Sequence, residues 1–296
     1  MSLLELFCSV DDYCQSLKIT LPTQPLGTGK NTRNRATQLT HSEIMTILIH
    51  FHQSGYRKFK HYYCWHVKVV LASEFPKACD YHRFVALIKR YLLPLLGYLY
   101  SRFGVCEAVS IVDSTVLKVC HNNRISSHRV FAGQAARGKN SMGWFFGFKL
   151  HIALNTKGEL VGIHLGKGNQ DDRDGLREIL ANPLKQLFGK LIADRGYIGK
   201  AFFEELYKKY GVELVTGLKK NMKSKLPQTS ENIFFLRKRG MIETIIDQLK
   251  NVMQIEHTRH RSFGGLSVNL ICGLIAYCLQ PNKPSLLSGK DILPTS

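Results

Sequence analysis

Two short apolar runs in this chain each end by presenting an aspartate: Ser110-Ile111-Val112-Asp113-Ser114-Thr115 and Leu191-Ile192-Ala193-Asp194-Arg195-Gly196-Tyr197. A third carboxylate, Glu243, lies in a helical pattern one turn after Arg239, with Asp247 and Lys250 following on the same stripe, because residues spaced three or four apart share a helix face. Carboxylates are hard oxygen donors, and small divalent ions use few of them, leaving positions for water and phosphate. Two such ions roughly 4 Å apart can align a nucleophile and neutralise charge on the attacking, leaving and non-bridging oxygens of a phosphodiester. We therefore expect Asp113, Asp194 and Glu243 to meet in space and hold divalent metal for chemistry on nucleic-acid phosphates. Taken singly, each acid has a duller role, since most strand-end aspartates cap loops and most helix glutamates are solvated. The ordered set carries the argument. Zinc is a poorer fit: the eight cysteines at 8, 14, 64, 79, 106, 120, 272 and 278 include no C-x-x-C pair, and His257 and His260 read as surface or packing residues.

The charge balance points to the same substrate class. Lys and Arg number 41 against 22 acids, a formal +19 with a pI near 9.6. Such an excess favours a polyanionic partner, because each phosphate contact releases condensed counterions. The alternatives are a solvated basic surface or an anionic membrane. Two stretches concentrate the excess. Residues 119–148 contain Arg124, Arg129, Arg137 and Lys139 and no acid, with Gly133, Gly138 and Gly143 as punctuation, so they read as a loop that meets the phosphate backbone. Residues 217–239 carry Lys219, Lys220, Lys223, Lys225, Arg237, Lys238 and Arg239 with Glu231 as the only acid. The hydrophobic content of 44% is that of a globular protein. The most apolar run, Leu266 to Leu279, is interrupted by Ser267 and Asn269 and falls short of the roughly 20 apolar residues of a membrane span. Nothing at Met1 to Val10 resembles a signal peptide, so a reducing cytosol with free thiols is expected.

The elements that must position these residues can be read in order. Apolar positions at Leu3, Leu6, Phe7, Val10, Cys14 and Leu17 give a first helix. Residues 21–38, with Pro22, Pro25, Gly27 and Gly29, read as a linker. Thr40-His41-Ser42-Glu43 is a capping box that opens a second helix ending near Gly55. Arg57 to Tyr63 interleaves cations with aromatic residues, which suits DNA or an amphipathic helix with an aromatic inner face. Asp80 caps a further helix with Phe84, Ile88, Leu92 and Leu95 inward. Pairs of short helices suit a helix-turn-helix reader and a small helical bundle equally. From residue 107 the pattern changes. Strands at 107–119, 144–154 and 160–165, the last two joined by the turn at 155–159, form an antiparallel set. A helix capped by Asp171 or Asp172 follows, then a strand at 191–193, a helix at 200–210, a strand at 212–216, and one helix from about Ile233 to Glu256. Three antiparallel strands followed by alternating helices and parallel strands is the order of an RNase H-like mixed α/β sheet. The expected division is an all-α region at 1–105 that recognises DNA ends, a catalytic domain at 106–280, and a tail at 281–296.

On these residues the sequence resembles the DDE transposases of bacterial insertion sequences, over nearly its whole length. The resemblance rests on Asp113 in IVDST, Asp194 in ADRGY, and Glu243 within the R-x3-E-x6-K pattern formed by Arg239, Glu243 and Lys250. Many relatives have a tyrosine three residues before the arginine; this chain has Leu236 there. The resemblance implies an RNase H-like catalytic domain, a DDE triad, Mg²⁺ with Mn²⁺ as a substitute, and recognition of terminal inverted repeats. It implies hydrolysis that frees a 3′-hydroxyl and attack of that hydroxyl on target DNA, with Arg239 and Lys250 at the DNA end and the segment 255–262 nearby. It further implies a homodimer that brings two ends together, working at the nucleoid in a bacterial cytoplasm. Two alternatives stay open: an RNase H-like nuclease without strand transfer, and a catalytically silent DNA-binding protein derived from a transposase. A glycosidase using paired carboxylates leaves the +19 charge without a role.

Overall fold

The computed structural model describes residues 1–18, 37–184, 187–218, 229–257 and 259–286. In chain order, the helices before the sheet are α1 (Leu3–Ser16), α2 (His41–Gln53), α3 (Phe59–His61, running into a π-helix at Tyr62–Val70), α4 (Tyr81–Ile88) and α5 (Leu92–Ser101). Next come strands β1 (Val109–Cys120), β2 (Ala136–Asn140), β3 (Gly143–Asn155) and β4 (Leu160–Lys167). The chain then alternates through α6 (Asp172–Leu180), β5 (Gly189–Ala193), α7 (Lys200–Tyr210) and β6 (Val212–Thr216). It finishes with α8 (Ser230–Lys238), α9 (Met241–Asp247, continuing as a π-helix over Gln248–Val252) and α10 (Phe263–Cys278).

These elements fall into two units that are each discontinuous in sequence. One joins Met1–Arg102 to Leu249–Pro281, and the other joins Phe103–Gln248 to Asn282–Ser296. In the first, Ser2 and Thr40 each close a capping box with Glu5 and Glu43, so both helices start where their first N–H groups find side-chain oxygens. The inner faces of α1 (Leu6, Val10, Cys14) and α2 (Ile44, Met45, Ile47, Leu48) are buried. Tyr62 and Tyr63 of the aromatic and basic stretch also turn inward, while Trp65 stays exposed. The apolar helix α10 packs against α2 and α5. The division expected from chain order does not anticipate that return. Among the described residues, no helix is long and apolar enough to cross a membrane, and all eight thiols are free.

The second unit is a curled mixed sheet in the order β2-β3-β1-β5-β6, with β4 also paired to β3. β1 is antiparallel to β3, β3 is antiparallel to β4 and β2, and β5 runs parallel to both β1 and β6. Parallel neighbours need crossover connections, which α7 supplies between β5 and β6. The apolar faces of α6 and α7 meet the sheet in a core of Val112, Ala153, Val161, Leu176, Ile179, Leu191, Ala193, Phe202, Leu206 and Leu214. The hairpin turn at 155–159 needs Gly158, whose φ of +74° is open to glycine at little cost.

Two expectations are corrected. Residues 119–148 are not loop throughout: Ala136–Asn140 forms β2, and β3 already begins at Gly143. Gly138 punctuates nothing there. A side chain at that position would collide with the Gly168 carbonyl and the Phe145 ring, so the glycine allows close packing within a strand. The single helix expected from Ile233 to Glu256 is broken. Arg239 and Gly240 form a turn between α8 and α9, where Ile242 and Glu243 donate to the carbonyls of Arg239 and Gly240 at 3.0 and 3.1 Å. Both turn residues keep right-handed helical dihedrals, so the spacing from Arg239 to Glu243 survives the interruption.

Candidate active site

Asp113 sits within β1 and is half-buried. Asp194 follows directly on β5, exposed, and caps the short 3₁₀ turn Arg195–Tyr197 by accepting the Arg195 N–H at 2.6 Å. Their proximity follows from strand register. Ile111 pairs with Ile192 in the parallel β1–β5 ladder, and each aspartate lies two residues further along. Side chains two apart on a strand share a face, so both carboxylates project from the same side of the sheet. Val112, Leu191 and Ala193 point to the opposite side, into the core under α6 and α7.

The third acid reaches this face from α9, which packs against β1 through its own apolar side, including buried Ile242 and Ile245. Arg239 is the hinge of the arrangement. One guanidinium nitrogen stands 3.5 Å from Asp113 Oδ2 and the other 3.2 Å from Glu243 Oε1. The guanidinium is thus shared between two acids 130 residues apart in the chain, screening a repulsion that would otherwise separate them. Burial pushes the Asp113 carboxyl up to about 6; the Ser114 N–H and Arg239 oppose the rise, while Asp194 and Asp172 add to it.

The donor set is all oxygen, which suits a hard divalent cation and not zinc. Among the described residues no three His, Cys, Asp or Glu side chains are drawn together tightly enough to enclose a metal ion. Arg239 lies between Asp113 and Glu243 and supplies the positive charge there.

The other expected residues are placed as follows. Arg124 ends an exposed 3₁₀ turn (Asn122–Arg124), and Arg129 is exposed shortly after it. Arg137 and Lys139 are exposed on β2 and lie over the Trp144 ring. Lys250 belongs to the first unit, where its ammonium is 3.1 Å from Glu256. The π-helical stretch that contains it departs from the α-helical spacing on which its stripe with Glu243 was reasoned. Lys219 and Lys220 lie outside the described residues.

One acid near the site was read only as a cap. Asp171 is the N-cap of α6, which leaves Asp172 to turn inward. Its Oδ1 accepts from Ser114 Oγ at 2.5 Å and from Lys149 Nζ at 3.3 Å. The residue next to Asp113 is therefore pinned by a fourth carboxylate. The signal in the sequence was the doubled aspartate itself, since one helix start needs only one cap. Behind Asp172 lies His151, 1% exposed, its Nδ1 3.9 Å from Asp172 Oδ1.

A family model described as a transposase DDE domain matches residues 103–263, more than half of the chain. The match spans Asp113, Asp194, Arg239 and Glu243. No curated protein matches.

Proposed function

The chain belongs to the transposase DDE-domain family, and from that premise we propose that it binds the terminal inverted repeats of its own element, cleaves there, and joins the freed 3′-hydroxyl ends to target DNA. The observation that carries the reading is the meeting of Asp113 and Asp194 on one face of adjacent parallel strands, with Arg239 tying Asp113 to Glu243. The RNase H-like reading of the catalytic region is supported by the strand order and by the mixture of antiparallel and parallel pairs.

Asp113, Asp194 and Glu243 would hold Mg²⁺ or Mn²⁺, which supplies charge neutralisation at the phosphate and activates the attacking oxygen. The chain's own residues set the stage for that chemistry. β1 and β5 are stiff mounts for the two aspartates, and Asp172 fixes the neighbouring Ser114, as rigid supporting contacts must if a site is to keep its geometry. Arg239 aligns two carboxylates and presents a guanidinium suited to phosphate oxygens. Arg124, Arg129, Arg137 and Lys139, together with Lys219 and Lys220, contact the duplex backbone, and Lys250 the DNA end. The helical region at 1–105 reads the repeat, and two copies of the chain pair the two ends.

Mixing the full chain with a labelled terminal repeat, target DNA and Mg²⁺ yields nicked and joined products on this reading. Asp113→Ala, Asp194→Ala and Glu243→Ala should each reduce joining by at least about 10²-fold, the scale seen when one preorganised electrostatic partner is removed. Normal joining by all three variants sinks the assignment. Cleavage without joining identifies a nuclease. Salt-sensitive binding without metal-dependent turnover identifies a silent DNA-binding protein.

A further inference from the structure

The hairpin of β2 and β3 is the most exposed part of the sheet. Ser141 and Met142 form its tip, Met142 being 85% exposed, and Trp144 at the start of β3 is 50% exposed. The Arg137 guanidinium lies 4.7 Å and the Lys139 ammonium 5.5 Å from the centroid of the Trp144 ring. Beside the ring is a hollow of about 290 Å³ lined by Lys118, Val119, Cys120, His121, Asn122 and Trp144. Its wall is the end of β1, where the pairing with β3 slips. Lys118 faces Gly147 and Cys120 faces Phe146, which leaves Val119 as an extra residue. A bulge of this kind bends the strand and re-aims the side chains around it. The Asn122 side-chain amide donates to the Trp144 carbonyl at 2.8 Å and ties wall to hairpin.

We propose that this hollow receives one unpaired nucleotide, with its base stacked on Trp144 and its phosphates held by Lys118, Arg137 and Lys139. Size is the first argument. The volume is at the lower limit of small-ligand pockets, about 300 Å³, which suits a single nucleotide. Chemistry is the second. A half-exposed aromatic ring flanked by cations is how single strands are bound without regard to sequence, because every base has a stacking face. A base inside a duplex has both faces covered and must be turned out to reach such a surface. Charge is the third: between Asp113 and Glu159 the chain contains no acid at all, so nothing on this stretch repels a phosphate. Asn122 and His121 belong to the lining that a base edge would meet.

The inference rests on the proposed DNA reading for the source of the nucleotide, but its test needs neither metal nor joining. The chain has two tryptophans, so Trp65→Phe leaves Trp144 as the sole tryptophan emitter in the full-length protein. Titration with a short oligothymidylate is expected to quench that emission, whereas an abasic strand with the same number of phosphates binds without quenching. Trp144→Leu should weaken oligothymidylate binding roughly tenfold, the scale of one lost base stack, and leave abasic-strand binding unchanged. Trp144→Phe, which keeps a ring, should retain most of the affinity and serves if the leucine variant fails to fold. Equal quenching by the abasic strand or by intact duplex overturns the proposal, as does undiminished oligothymidylate binding by Trp144→Leu. Joining lost while quenching persists breaks the transposase reading alone; quenching absent while joining persists breaks this inference alone.

Discussion

Two buried histidines, one in each unit, meet very different surroundings. His52 of α2 is 5% exposed, and its Nδ1–H donates to the Met253 carbonyl at 2.6 Å. His151 of β3 is 1% exposed, and neither ring nitrogen has a hydrogen-bond partner among the described residues. Burial pushes both imidazoles down to about 4. His52 is closed off by the backbone opposite it. In the second unit, the unsatisfied ring lies directly behind Asp172, and Gly175 leaves room for it, since a side chain there would overlap the imidazole. Most buried polar atoms in folded proteins are paired; the exceptions among the described residues include Thr46 Oγ1, Gln53 Oε1 and Gln254 Oε1 in the first unit, and the His151 ring is the one that lies behind Asp172. The contrast is between the two rings: one is paired with a carbonyl, and the other keeps uncompensated polarity beside the candidate site.

Acid gives the largest test of that contrast. The unfolded chain takes up a proton at each histidine as pH falls through about 6.5, while folded His52 refuses it until about 4. Its contribution is therefore held above pH 6.5 and lost as pH falls through that window, on the order of 3 kcal/mol for a fully buried group. His50, which faces Tyr62 and His66, is also lowered to about 4 and adds in the same direction. Denaturant midpoints at pH 7 and pH 4 measure the loss. A His52→Leu variant with an unchanged pH slope would refute the assignment.

The second test separates the two rings at neutral pH. His52→Leu strands the Met253 carbonyl and should cost about 1–3 kcal/mol, whereas His151→Leu removes a group that has no partner to strand and should cost less than about 1 kcal/mol. Equal losses in calorimetry would erase the distinction. A third test is at the site itself. Arg239→Ala removes one pair to a half-buried carboxylate and one to an exposed one, together worth about 1 kcal/mol. A midpoint that rises in Arg239→Ala would show that the guanidinium is held at a net cost and not in support of the fold.

What the linear chain reveals follows physical range. The capping box at Thr40 and Glu43 and the aspartate that ends its strand at Asp194 are local patterns, and the structure has them where the residues put them, whereas Asp113 lies inside β1, which runs on to Cys120. β2 was missed because glycine was read as punctuation, and only the neighbouring Phe145 ring and Gly168 backbone explain why Gly138 stands inside a strand. The break at Arg239 and Gly240 falls within an unbroken apolar rhythm, so periodicity alone runs the helix straight through. The link from Arg239 to Asp113 spans 126 residues, and a spacing pattern around Glu243 can suggest only the nearer partner. Amphipathic pattern likewise marks α10 as buried without naming α2 and α5 as what buries it. Asp172 was within reach of the sequence, but two adjacent aspartates at a helix start do not say which one turns away from the cap.

β1 has a consequence of its own because it is long. The same 12-residue strand carries Asp113 near its start and the wall of the Trp144 hollow, Lys118 to Cys120, at its end. Five to seven residues of extended chain span roughly 17–23 Å, which is about five to seven base steps at the 3.4 Å rise of a DNA strand. If both ends of that span contact one DNA strand, as proposed, β1 acts as a ruler: with a nucleotide seated in the hollow, the backbone position offered to the carboxylates is set by counting bases from it.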